Sequence, residues 1–190
     1  MRVGMFTNAY KPVISGVVTS ICLFRRGLVK RGHEVFVFAP ACRGYEDDEE
    51  NIFRYPAIDL PEDFSISVAV PVSPRISRLI PTLGLDIIHS HHPIIMGQVA
   101  IHMAQRLQLP LVFTFHTRYE DYAHYVQYVP FGDKGQPLVK KAIRRIVTAY
   151  VSDCDLVIAP SKNVLRLLDD YGVSQPVEVI PTPVRLEAFA

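Results

Sequence analysis

The chain has 190 residues, 49% of them apolar, and carries 20 Lys and Arg against 19 Asp and Glu for a net charge of +1. This length and apolar content suit one well-buried domain rather than two, and the near-neutral balance gives no general pull toward nucleic acid or acidic partners. Cys22, Cys42 and Cys154 share no metal-ligand spacing and fit a reduced cytosolic protein, and no apolar run approaches the roughly 20 residues of a membrane span.

Strand and helix signals alternate along the chain. Val3–Phe6 reads as a first strand, entered too early to leave room for a signal peptide. Gly16–Arg31 reads as a helix with Val17, Ile21, Phe24 and Leu28 on its apolar face, stopped by Gly32. Glu34–Phe38 is a second strand closed by Pro40, and Glu46–Glu50 an acidic patch expected to be a solvated loop. Ile52–Tyr55 is a short third strand. Pro56–Pro74 is proline-rich and expected to be irregular before a weak helix near Ile76–Ile80.

The next two strands, Asp86–His89 and Leu111–Phe115, are short apolar runs, as in strands covered on both faces, and each leads straight into histidine. Ile94–Leu107 has helical spacing between them. A polar and aromatic stretch follows through Gly135, and Pro137 is placed to start a helix that carries through Tyr150. Asp155–Ile158 is a strand, Ser161 an N-cap for a helix to Tyr171, and Val177–Ile180 a last strand. The alternation predicts an α/β fold: a doubly wound, seven-stranded parallel sheet with helices on both faces. Pro181 and Pro183 then direct the chain outward, which suits a linker to a second domain: residues 1–180 are expected to be the domain and 181–190 the start of the linker.

Ligands of such sheets bind at the carboxyl ends of the strands. The turn after the first strand, Thr7–Val17, has one glycine, and the second strand ends without an acidic residue, so a dinucleotide site is disfavoured. Gly16 still opens a helix whose N–H groups can meet a phosphate, with simple loop closure an equal reading. His89, His91 and His92 lack the interleaved carboxylates of a metal hydrolase and read instead as hydrogen-bonding groups in a polar crevice. His116 ends a strand and precedes a run of tyrosines and charges, an irregular stretch of the kind that carries function. Lys140, Lys141, Arg144 and Arg145 fall on one side of a helix whose Val139, Ile143, Ile146, Val147 and Tyr150 form an apolar stripe. They are either a solvated face or a patch for anionic lipid.

Together, Met5–Gly16, Arg31-Gly32-His33-Glu34-Val35, Asp86–Gly97, Phe113–Thr117, Val157–Ser161 and Ile180–Val184 resemble the N-terminal, acceptor-side domain of GT-B glycosyltransferases. The subgroup is the retaining one that includes lipid glucosyl- and mannosyltransferases. The resemblance implies a metal-independent hexosyltransferase without a cofactor, acting in the cytoplasm or at the inner face of a membrane. It sets Ser15 and Gly16 beside the donor diphosphate and His116 beside the transferring sugar. Glu120, Asp121, Tyr122, His124, His91 and His92 would face the acceptor, and the four basic residues an anionic membrane. The family's donor-binding domain supplies most nucleotide-sugar contacts, so this chain is expected to be inactive alone and to need that domain as a covalent or separate partner. An apolar crevice face without that partner is expected to favour a homodimer. Half of a sugar-nucleotide epimerase and a stand-alone binding or scaffold module are the rival readings.

Overall fold

The structure, a computed structural model, describes residues 1–59, 67–119 and 132–184, with side chains from residue 137 onward in the last segment. In chain order the elements are β1 (Arg2–Phe6), α1 (Gly16–Lys30), β2 (Glu34–Pro40), β3 (Ile52–Tyr55), β4 (Ala57–Asp59) and β5 (Ser67–Ala69). They continue with α2 (Pro74–Leu79), a 3₁₀ turn (Ile80–Leu83), β6 (Ile87–Ser90), α3 (Met96–Leu107) and β7 (Leu111–Thr114). The last four are α4 (Gly132–Ser152), β8 (Leu156–Ala159), α5 (Lys162–Asp170) and β9 (Val177–Val179).

Alternation within the strands explains why both faces of the sheet are covered. Val3 and Met5 of β1, with Val35, Val37 and Ala39 of β2, build a core with Ile21 of α1 on one face. Phe6, Phe36 and Phe38 turn to the other face and join Met96 and Ala100 of α3 and Val147 and Tyr150 of α4 in the larger core. Gly4 lies on that second face because a Cβ there would sit 2.8 Å from Leu85.

The seven strands of the main sheet run in the order β3-β2-β1-β6-β7-β8-β9, every neighbouring pair parallel. This is the doubly wound, Rossmann-like sheet that the alternating sequence predicts. Its order reverses between β1 and β6, and the crevice above that reversal lies at the ends of strands that finish in Phe6 and Ser90.

Local signals are obeyed closely. Ser15 and Ser161 cap α1 and α5, their hydroxyls accepting from Val18 N–H at 3.2 Å and Val164 N–H at 3.3 Å. Gly32 ends α1 at φ +81°, where any other residue would be strained. Two segments differ from the sequence reading. The proline-rich stretch contains an antiparallel hairpin, β4 with β5, in which Ala57 pairs with Ala69 and Asp59 with Ser67. The helix expected to start at Pro137 begins at Gly132 and carries Pro137 inside it. Near a helix start the proline's missing N–H costs at most one bond, so the helix runs through it.

Candidate functional site

Above the sheet reversal lies a cleft of about 500 Å³ whose walls include Asn8, Tyr10, Ser15, Arg54, His92 and Thr117. They come from the loops after β1, β6 and β7 and from β3 itself, so four strands contribute. Asn8 ties two of those loops together. Its backbone N–H donates to His92 Nδ1 at 3.1 Å, its side-chain amide donates to Ile94 O at 3.0 Å, and its side-chain oxygen accepts from Met96 N–H at 3.0 Å. That last bond satisfies a free N–H at the start of α3. Close packing holds the same place from the other side, since a Cβ on Gly97 would stand 2.0 Å from His92 O.

The histidines form a connected, uncharged group. His91 Nδ1 and His116 Nε2 are 2.9 Å apart, and His89 Nε2 and Thr114 Oγ1 2.7 Å. His91 has 0% of its surface exposed and its ring lies 4.2 Å from that of His89 and 5.2 Å from that of His116. Burial disfavours the imidazolium form at each position. It brings His89 down to about 3, with the charge of His116 adding to the effect. His116 falls to about 4 by burial, and His92 to about 4 by burial and then by His116. His91 is held well below the ordinary range by burial and then by its three histidine neighbours. At neutral pH these rings are neutral hydrogen-bonding groups, so they can polarise or orient a ligand without carrying charge. His92 accepts from Asn8 N–H at Nδ1, which leaves the proton of its neutral ring on Nε2. Among the described residues no three His, Cys, Asp or Glu side chains converge as a metal site requires.

The predicted residues divide unevenly. His92 and Ser15 are walls of the cleft, and Thr117 brings the residue next to His116 into it. His116 is not among the cleft's walls; it is half-buried and lies against His91. His91, read as an acceptor contact, has no exposed surface with which to meet one. Gly16 opens α1 with nothing within 4 Å of where a Cβ would stand, so no packing demands a glycine there and the helix end is open to approach. Glu120, Asp121, Tyr122 and His124 lie outside the described residues.

On α4 the basic residues do come together. Lys140, Lys141, Arg144 and Arg145 border one shallow surface groove with Thr148 and Tyr171. Arg144 lies over the Tyr171 ring, 4.9 Å from its centre, and donates to Asp170 O. Ile146, placed in the apolar stripe by its spacing, is instead 47% exposed, as Leu138 is at 73%. With Ala142 they flank Lys141 and Arg145 on a second, apolar groove. Spacing by four residues puts Leu138, Ala142 and Ile146 on one rib of the helix, turned away from the core.

The acidic patch is only in part the solvated loop expected of it: Glu46, Asp48 and Glu50 are exposed, but Asp47 and Glu49 turn inward. Arg54 forms a two-toothed pair with Asp47, at 2.9 Å through Nε and 2.7 Å through Nη2, and also donates to Pro40 O and Lys11 O, each at 2.7 Å. Glu49 accepts from the Tyr10 hydroxyl at 2.7 Å and pairs with Lys11 and Arg25 at 3.2 and 3.1 Å. Burial and then Glu49 push the Tyr10 phenol up, so it stays a donor. Arg54, Asp47 and Asn8 are the site-shaping residues that sequence reasoning missed. The only available signal was an acidic run close to a lone arginine in a strand.

A family model described as Glycosyltransferase Family 4 matches residues 14–188. An alpha-monoglucosyldiacylglycerol synthase of Streptococcus pneumoniae is 35% identical over 192 residues, covering 100% of this chain and 42% of that protein. One of Acholeplasma laidlawii is 31% identical, covering 100% of this chain and 48% of that protein. A GDP-mannose-dependent alpha-mannosyltransferase of Corynebacterium glutamicum is 27% identical, covering 92% and 41%. The chain thus spans less than half the length of these relatives. Among solved structures, a sucrose-phosphate synthase chain of Thermosynechococcus elongatus superposes with a TM-score of 0.61 at 13% identity, over 100% of this chain and 93% of that one, a likeness of fold.

Proposed function

The chain belongs to glycosyltransferase family 4, and on that premise we propose that residues 1–180 are the acceptor-side half of a retaining hexosyltransferase acting on a lipid hydroxyl. The reading is carried by one arrangement: the open start of α1 at Gly16, a largely apolar cleft and the neutral His116 all stand at the carboxyl end of one sheet reversal. The relatives named for diacylglycerol glucosylation support the lipid acceptor.

In this mechanism the acceptor oxygen bonds to the anomeric carbon as the bond from that carbon to the donor phosphate breaks; the diphosphate leaves with the electron pair, and its departing oxygen takes the proton of the acceptor hydroxyl. The N–H groups at the start of α1 face the departing charge, with Ser15 fixing that end of the helix. His116 holds a hydroxyl of the donor sugar. The apolar cleft takes the part of the acceptor nearest its hydroxyl, with His92 on its wall. The contribution is orientation and electrostatic complementarity, with no metal required. A donor-binding domain, joined through residues 181–190 or supplied as a separate chain, completes the site. Glu120, Asp121, Tyr122 and His124 contact the acceptor in this proposal.

The lipid acceptor places the protein at the cytoplasmic face of a membrane. No helix among the described residues is long and apolar enough to cross one. Attachment is through α4, where Lys140, Lys141, Arg144 and Arg145 meet anionic head groups and the rib of Leu138, Ala142 and Ile146 rests at their edge. Vesicles containing anionic lipid should retain the protein, and Lys140→Glu with Lys141→Glu should release it. Equal retention by neutral vesicles would remove α4 from this role.

The test of transfer is reconstitution. The 190-residue chain alone should transfer no sugar, and joining it to a family donor-binding domain should restore turnover. In the joined enzyme His116→Ala should lower kcat on the order of 10²-fold with the melting temperature nearly unchanged. His33→Ala, whose ring stands at the opposite end of the sheet beside the N-terminal amine at 3.3 Å, should leave turnover alone. Equal loss in both variants would sink the assignment of His116.

A further inference from the structure

Among the described residues, Ser20 Oγ, Arg25 Nε and His91 Nε2 are buried without a hydrogen-bond partner, and of these three the last belongs to the histidine group beside the cleft. His91 Nε2 is sealed from solvent and has no hydrogen-bond partner, while Nδ1 of the same ring meets His116 Nε2 at 2.9 Å. A neutral imidazole carries one proton, so the contact has two arrangements. In the first, His116 donates from Nε2; the proton of His91 then sits on its own Nε2, as a buried N–H with no acceptor. In the second, His91 donates from Nδ1, its Nε2 is a bare lone pair, and the proton of His116 sits on Nδ1. Buried donors without acceptors are rarer in folded proteins than under-used acceptors. The second arrangement is therefore favoured.

We propose that His91 is a positioning residue that fixes the tautomer of His116, holding a proton on His116 Nδ1 as a donor toward the crevice. His116 Nδ1 has no bonding partner among the described residues and is not among the sealed, unpartnered atoms. The stack of three rings supports the arrangement. His89 is anchored to Thr114 at 2.7 Å, and its ring lies against His91, limiting rotation of the middle ring. A donor so fixed selects an oxygen acceptor from the ligand, such as a sugar hydroxyl or a diphosphate oxygen. The choice of ligand rests on the transferase reading, but the tautomer does not.

The experiment is nitrogen-15 NMR of the histidine side chains in the 190-residue chain at neutral pH, which distinguishes protonated from bare ring nitrogens. The expected spectrum has both His91 and His116 protonated on Nδ1. His91→Phe keeps the ring shape and removes the donor, so His116 should lose its preference and show a mixture or the Nε2–H form. His91→Asn puts an amide donor close to where Nδ1 stood and should return His116 to the Nδ1–H form. A wild-type His116 protonated on Nε2, a His116 tautomer indifferent to His91→Phe, or no recovery with His91→Asn would each overturn the proposal. If His91→Phe does not fold, the wild-type spectrum and the Asn variant decide it. Because this readout needs no sugar donor, it succeeds or fails independently of whether the assembled enzyme transfers a hexose.

Discussion

On the β1–β3 side of the crevice, shape is maintained by full charges: Arg54 grips Asp47 and two carbonyls, and Glu49 gathers Tyr10, Lys11 and Arg25. Across the sheet reversal, on the β6–β7 side, the same task falls to uncharged rings in contact, with His91 between His89 and His116. The difference follows from water. Asp47 and Glu49 keep 17% and 23% of their side chains exposed, enough to hold charge when partnered, whereas His91 keeps none of its surface in solvent. One side is rigid because opposite charges meet, the other because burial has removed charge altogether.

The largest expected effect tests how tightly the histidine side is packed. Gly97→Ala drives a methyl into His92 O and against Tyr150, both backed by the core, and should destabilise on the order of 3 kcal/mol in urea unfolding. A loss below about 1 kcal/mol would show that this side has room to give.

Next comes the charged side. Arg54→Ala strands Asp47 and frees two carbonyls and should cost roughly 2 to 3 kcal/mol. A double-mutant cycle with Asp47→Ala should return a coupling above about 1 kcal/mol that shrinks in high salt. Lys11–Asp48, whose carboxylate is 75% exposed, should return close to none. Equal coupling in the two pairs would erase the contrast between buried and exposed charge.

Acid tests the histidine side. The histidines titrate near 6.5 when unfolded but at about 4 for His116 and His92 and about 3 for His89 when folded. Their contribution is therefore whole above about pH 6.5 and is lost as pH falls toward 4, because the unfolded chain takes up protons that the folded one refuses. Each buried histidine should remove about 1 kcal/mol of stability per pH unit in that window. Urea midpoints at pH 7.5, 6 and 5 should fall accordingly, and the fall should be shallower in His92→Asn. A flat profile would mean that these rings are not kept neutral.

Gly16→Ala should have the smallest effect on folding, within about 0.5 kcal/mol, because its methyl meets nothing. In the assembled enzyme it should nevertheless raise the KM for the nucleotide sugar, since the added carbon stands where a phosphate would approach. An unchanged KM would return Gly16 to plain loop closure.

Most of the sheet was legible because its signals are local. The apolar runs, Gly32 and the capping serines Ser15 and Ser161 all act within a few residues of where they stand. The β4–β5 hairpin escaped notice because strands of three residues beside prolines have too few alternations to show a period. The site was only partly legible. His89 and His91 are two apart in an extended run and so share a face, which spacing reveals, but spacing does not reveal which ring would be sealed. Arg54 and Asp47 find each other only once a turn brings the loop back beside β3. Ile146 obeys the helical period and still faces out, because the core it was counted toward ends at Val147 and Ile143.

Asn8 joins the two sides with three hydrogen bonds, one from its backbone and two from its side chain, and so makes them one mechanical unit. If a ligand pushes the loop after β1, the pull reaches the His92 ring and the first turn of α3 without crossing the hydrophobic interior. The crevice should then tighten or relax in concert rather than loop by loop. A single short side chain, on a residue that neither helix nor strand claims, would set how far occupancy at one edge is felt at the other.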